Sequence, residues 1–201
     1  RERRECRELH TPVGSEYFGG NCHSDAGQLD IVGSQARVIS TTYPWSPDVN
    51  SGMRVVRVYD DISPAETGWR GFHSKLLRAV GDWEESGLVA FQVLRQAPPE
   101  KYPEGAVTFE VGSRDTTYFA YMWGHSPMEN PEHIKTAACI EISSRVGPSI
   151  MRSLLCHEFG HVLGLDHQPD GSGSIMDPTM SADSARSPNA TDYANLRALF
   201  A

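Results

Sequence analysis

Positive charge is scarce in this chain. Eighteen lysines and arginines stand against 26 aspartates and glutamates, a formal net charge of −8 over 201 residues. Nucleic acid and anionic membrane surfaces both attract proteins through a basic face, so neither is expected as a partner. Long hydrophobic runs are missing too, and no segment approaches the roughly 18 apolar residues of a membrane span. Cysteine is limited to four residues with no Cys-x-x-Cys pair, which argues against a thiolate zinc site or a dithiol redox motif. There is no internal repeat and no long linker. The chain opens on Arg1 with no apolar leader, as expected of a mature or trimmed form. What is present is a globular balance: 39% hydrophobic and 22% charged residues are too apolar and too weakly charged for a disordered chain. A chain of this length buries about 70% of its unfolded surface, enough for a core without staples. One domain spanning 1–201 is expected.

The four cysteines fall into two sequence-local pairs, Cys6 with Cys22 and Cys139 with Cys156. Two disulfides in an oxidising compartment are the expected arrangement. Four buried free thiols in a reducing one are the alternative.

Periodicity and punctuation divide the chain. Residues 1–30 are irregular and charged at the start, an arm laid over the domain. Residues 53–59 are β-rich. Residues 70–86 place Phe72, Leu76, Leu77, Val80 and Trp83 at helical spacings, and Gly87 ends the run. Strands are expected at 88–94, 106–111, 116–122 and 136–143, with a break over 124–131. A second helix over 149–163 has Pro148 near its start and Gly164 just past its end. Ile150, Leu154, Leu155, Phe159, Val162 and Leu163 go most of the way round it, so it should be buried. A loop over 166–188 leads to a last helix at 189–200. The order predicts an α+β fold, a twisted sheet packed on a long helix followed by a smaller irregular part.

The chemistry is concentrated in eleven residues, His157-Glu158-Phe159-Gly160-His161-Val162-Leu163-Gly164-Leu165-Asp166-His167. His157 and His161 are four apart, so on a helix they project from one face and can grip one ion. Gly164 can take the left-handed conformation that turns the chain and returns His167 as a third nitrogen ligand. Three neutral histidines suit zinc and leave a fourth position for water. Zinc lowers that water's pKa toward ~7, and the neighbouring Glu158 carboxylate can take its proton. A lone His-x-x-x-His is common by chance; Glu158, Gly164 and His167 at fixed offsets are not. Asp166 is read as solvated or as a partner of a ligand.

This segment resembles the metzincin zinc-peptidase signature H-E-x-x-H-x-x-G-x-x-H. The methionine turn of that clan has its counterpart in Ser174-Ile175-Met176-Asp177-Pro178. Residues 157–165 and the Ile175-Met176 step are most similar to the matrixins, and the order of elements over 53–201 is matrixin-like. Astacins are the runner-up: they carry a tyrosine where Pro178 stands, although Cys139 and Cys156 look somewhat astacin-like. The matrixin structural-zinc segment is not apparent, since His125 and His133 are isolated. Calcium is possible but no motif supports it.

The resemblance implies a zincin catalytic domain with a twisted mixed sheet, a buried zinc helix and a smaller C-terminal subdomain, divided into an upper part at 31–164 and a lower part at 165–201. It implies a secreted, monomeric zinc endopeptidase acting on protein or peptide chains. His157, His161 and His167 would hold one ion, Glu158 would act as general base, and Met176 would support the metal from below. Substrate would pair with an edge strand at 116–122. Residues 178–181, including Met180, would wall a pocket for an apolar residue after the scissile bond. Cys6 or Cys22 stands where a latency cysteine is conceivable, but neither carries the family's prosegment motif. Asp192 reads as a helix-start carboxylate rather than as an anchor for the chain's N-terminus. Asn189-Ala190-Thr191 forms a glycosylation sequon. Two other classes compete: a non-catalytic zinc-containing binding or adhesion module, which the presence of Glu158 disfavours, and an amidase acting on small or cell-wall substrates.

Overall fold

The computed structural model describes residues 18–19, 45, 52–112, 120–125, 137–180 and 187–201. The main sheet contains β2 (Arg54–Tyr59), β3 (Val89–Leu94), β4 (Ala106–Gly112), β5 (Ala120–His125) and β6 (Ala137–Ser143), in the order β3-β2-β4-β6-β5. Four strands run parallel, and β5, at one edge, runs antiparallel to β6. Parallel neighbours need a crossover, and α2 (Phe72–Glu84) supplies it between β2 and β3. The remaining elements are the short α1 (Pro64–Thr67), α3 (Met151–Val162), α4 (Ala190–Phe200) and a two-residue pairing of β1 (Phe18–Gly19) with β7 (Thr179–Met180).

The core lies on one face of the sheet, where alternate strand residues meet α2 and α3. Val56, Val58, Val107, Phe109, Ala138, Ile140 and Ile142 point to this side. From α2 come Phe72, Leu76, Ala79, Val80 and Trp83. Leu77 departs from the sequence expectation: it is 45% exposed, because one helical step beyond Leu76 carries it off the buried stripe. The expected burial of α3 holds, with Met151 and every residue from Ser153 to Val162 buried. Phe159 of α3 packs edge-on against Phe91 and Phe109, at centroid distances of 5.3 and 6.4 Å. Two indoles reach carbonyls of α3: Trp83 Nε1 donates to Cys156 O at 2.8 Å, and Trp45 Nε1 to Val162 O at 2.8 Å. Arg152 of α3 makes a two-pronged bond to Asp82 of α2, at 2.9 and 2.8 Å.

The Cys139–Cys156 disulfide is not formed; both thiols are free and buried. Sheet alternation gives the reason. Cys156 lies in the core under α3, on the side of Ala138 and Ile140. Cys139 projects from the opposite face of β6, so the sheet itself separates the two sulfurs. Burial pushes the Cys139 thiol up to about 12 and holds Cys156 well above the ordinary value. Cys6 and Cys22 lie outside the described residues.

Strand β5 also differs from expectation. It runs on through Gly124 to His125, which pair with Ala138 and Ala137, because β6 offers partners as far as its first residue. Gly124 is therefore inside a strand rather than at the head of a turn. The short helix α1 adds to the expected elements: Pro64 sits at its start, and Gly68 closes it with φ 73°.

Candidate metal centre

Helix α3 ends in a hydrogen-bonded glycine cap. Leu165 N donates to Gly160 O at 2.9 Å, and Gly164 N donates to His161 O at 3.0 Å. Gly164 takes φ 100°, the left-handed region a β-carbon disfavours. This cap folds the chain back, so three residues later His167 faces the helix it has just left.

The three rings converge. His161 Nε2 lies 3.1 Å from His157 Nε2, and His167 Nε2 lies 3.2 Å from each of them. Nitrogens held about 2.0–2.1 Å from one tetrahedral zinc stand about 3.3–3.4 Å apart, so the triangle fits such an ion with little adjustment. The tautomers fit as well. A carbonyl can only accept, so His157 Nδ1–H donates to Ile175 O at 2.7 Å and His161 Nδ1–H to Leu165 O at 2.8 Å. Each of these rings therefore turns a bare Nε2 lone pair toward the centre. Two such lone pairs 3.1 Å apart repel unless a cation lies between them.

Protons are poor candidates for that cation. Burial, reinforced by the charge of a protonated His167, pushes His157 down to about 4. Burial holds His161 well below its ordinary value and takes His167 to about 4. Neutral imidazoles are the form a metal binds. His157, His161 and His167 form the only group of three or more such donors found among the described residues.

Glu158 does not join this triangle. It is 3% exposed, and its carboxylate accepts a hydrogen bond from the backbone N–H of Met122 on the edge strand β5. Its Oε2 is buried with no partner among the described residues. Burial pushes the group up to about 8, against the lowering effect of the Met122 bond. A buried carboxyl oxygen left without a donor is what a water or a substrate proton would satisfy.

Met176 lies against α3. A β-carbon on Gly160 would stand 2.2 Å from Met176 Sδ and 3.0 Å from Trp83 Cζ2, so Gly160 makes room for both. Ser174 and Asp192 make contacts beyond those the sequence signalled. Asp192, fully buried on α4, accepts from Ser174 Oγ, from Ile175 N at 3.2 Å and from Asn189 N at 2.8 Å. It is thus a helix-start carboxylate, as expected, and also a clamp on the methionine turn. The Asn189-x-x-Asp192 spacing did signal the capping box. Asn189 Oδ1 caps α4, and its Nδ2 donates to Gly173 O at 3.0 Å, so the sequon asparagine serves the fold. Asp166 accepts from the His167 backbone N at 2.7 Å and orients the main chain rather than a ring. His133 lies outside the described residues.

Residues 142–201 match the family model of Matrixin, peptidase family M10. This stretch includes Glu158, all three histidines, Met176 and Asp192, and it supports a metzincin-type family. No curated protein matches the chain. Among the solved structures similar to it, two each cover 73% of its length. One is a chain of the ECX AB5 holotoxin in its GM1-bound form, at 13% identity, with 79% of that chain covered and a TM-score of 0.48. The other is myroilysin, at 15% identity, with 92% covered and a TM-score of 0.44. Likenesses this distant carry no argument about function.

Proposed function

We propose that the protein is a zinc endopeptidase of matrixin type. The observation that carries this reading is the convergence of three neutral imidazoles, two of them buried and His167 half-buried, with a buried carboxyl group next in sequence to the first of them and not part of the triangle. His157, His161 and His167 would hold the ion. Zinc in that position supplies a Lewis acid for the scissile carbonyl and lowers the pKa of a water toward ~7. The chain's own groups do the rest. Ile175 O and Leu165 O hold the ring tautomers through His157 and His161. Glu158 takes the proton of the attacking water and delivers it to the departing nitrogen. Its basicity comes from burial, and its direction from the Met122 N–H on β5. Met176, packed at Gly160, would support the metal from below.

The edge position of β5 supports an extended peptide as substrate. An edge strand can take an extended peptide by β-addition, and Glu158 is tied to this one through Met122 N–H. The pocket wall for an apolar side chain that the resemblance implies at 178–181 belongs to the same reading; Ser181 lies outside the described residues. One catalytic domain, a monomeric state and secretion belong to the same proposal.

Two variants test it. Glu158→Gln should keep zinc and fold while peptide cleavage falls by about 10²–10⁴, the usual worth of general-base assistance. His157→Ala should lose zinc as well as activity. Near-normal cleavage by zinc-loaded Glu158→Gln refutes the assigned role. A zinc-loaded parent that cuts no peptide points instead to a binding module.

A further inference from the structure

The carbonyl that accepts the His157 Nδ1 proton is itself held from behind. Ile175 C=O and Met176 N–H belong to one peptide group. Its oxygen accepts from His157 Nδ1 at 2.7 Å, and its N–H donates to Ser174 Oγ at 2.8 Å. Ser174 Oγ in turn donates its proton to Asp192 Oδ1. Ile175 N, one peptide earlier, donates to the other Asp192 oxygen at 3.2 Å. Ser174 is 3% exposed and Asp192 0%, so water does not compete for these bonds.

The direction of each bond follows from chemistry. A carboxylate only accepts, so it takes the serine proton and leaves the serine lone pairs free. The serine oxygen must then accept from Met176 N–H, which turns the opposite end of that peptide, the Ile175 carbonyl, toward His157. We propose that Ser174 and Asp192 are positioning residues for His157: a relay from a carboxylate on α4, through a serine hydroxyl and one peptide group, that fixes the ring's orientation and strengthens Nε2 as a donor to a metal. Bonds aligned head to tail polarise one another, and the buried negative charge lies at the far end from the metal. Partners behind a liganding histidine are typically worth about 10–100-fold in metal affinity. The inference rests on the metal-binding reading above.

The test is zinc affinity by chelator competition on the full chain. Ser174→Ala and Asp192→Asn should each weaken zinc binding by about 10–100-fold. The double variant should be little worse than either single one, because both break the same relay. Ser174→Thr, which restores a hydroxyl, should recover most of the loss. Tyr193→Phe is the control for general loosening of α4: it removes the bond from Tyr193 OH to Asp82 O, at 2.6 Å, without touching the turn. It should leave zinc affinity unchanged. Parent-like affinity in folded Ser174→Ala, or an equal loss in Tyr193→Phe, overturns the relay. If the parent takes up no zinc, the metal reading fails by itself, and the relay is then judged on the metal-free protein. There, the His157 Nδ1 proton should exchange with solvent faster in Ser174→Ala than in the parent, because the carbonyl that holds it is no longer fixed from behind. Equal rates overturn it.

Discussion

Gly160→Ala sets two rules against each other. Alanine in a helix interior is favoured over glycine by about 1 kcal/mol, so propensity alone says the change stabilises α3. Packing says the reverse. The new β-carbon would stand 2.2 Å from Met176 Sδ, far inside the ~3.5–4.0 Å of an ordinary contact, and 3.0 Å from Trp83 Cζ2. Neither neighbour can withdraw easily. Met176 and Trp83 are fully buried, and the Trp83 indole is pinned by its 2.8 Å bond to Cys156 O. Overpacking of this kind costs up to about 3 kcal/mol, so the net change should be a loss of about 2 kcal/mol. For a chain of this size that is about 4–8 °C in Tm. Thermal unfolding in the presence of chelator measures it free of any metal contribution. Met176→Ala in the same background removes the clashing thioether, so the double variant should be at least about 1 kcal/mol more stable than the sum of the singles predicts. A Gly160→Ala protein as stable as the parent, or strictly additive effects, would refute the argument.

Two further outcomes follow from burial. Glu158 is pushed from 4.5 up to about 8, so the metal-free fold favours its protonated form. That contribution is complete below pH 4.5 and is lost as pH rises through 8. Metal-free Glu158→Gln should match the parent near pH 4 and exceed it by about 4 kcal/mol at pH 8, read from paired denaturant curves; a pH-independent difference contradicts the assigned burial. Cys139 and Cys156, both buried with raised thiol values, should resist a thiol reagent in the native protein and react after unfolding. A mass gain of two protons on reduction, mapped to this pair, would restore the disulfide.

The metal triad was legible in the sequence because its causes are local. Two histidines one helical turn apart must share a face, and a glycine after the helix must turn the chain whatever surrounds it. The cap at Gly160–Leu165 and the convergence of His167 with His157 and His161 follow from eleven consecutive residues. Helix burial was legible for a similar reason, since α3 is apolar nearly all round. The cysteine pairing was not. Nearness in sequence carries no information about which face of a sheet a residue occupies, and Cys139 and Cys156 are divided by the sheet. The extent of β5 was set by its partner: β6 offers register through Ala137, so the strand continues past a glycine that alone reads as a turn. The relay from Asp192 to His157 could not be read from the chain, because it joins residues 35 positions apart through a serine and a peptide group that only tertiary packing brings into line. Local rules therefore selected the ligands, while the surroundings that orient them were decided by how α4 and the methionine turn close against α3.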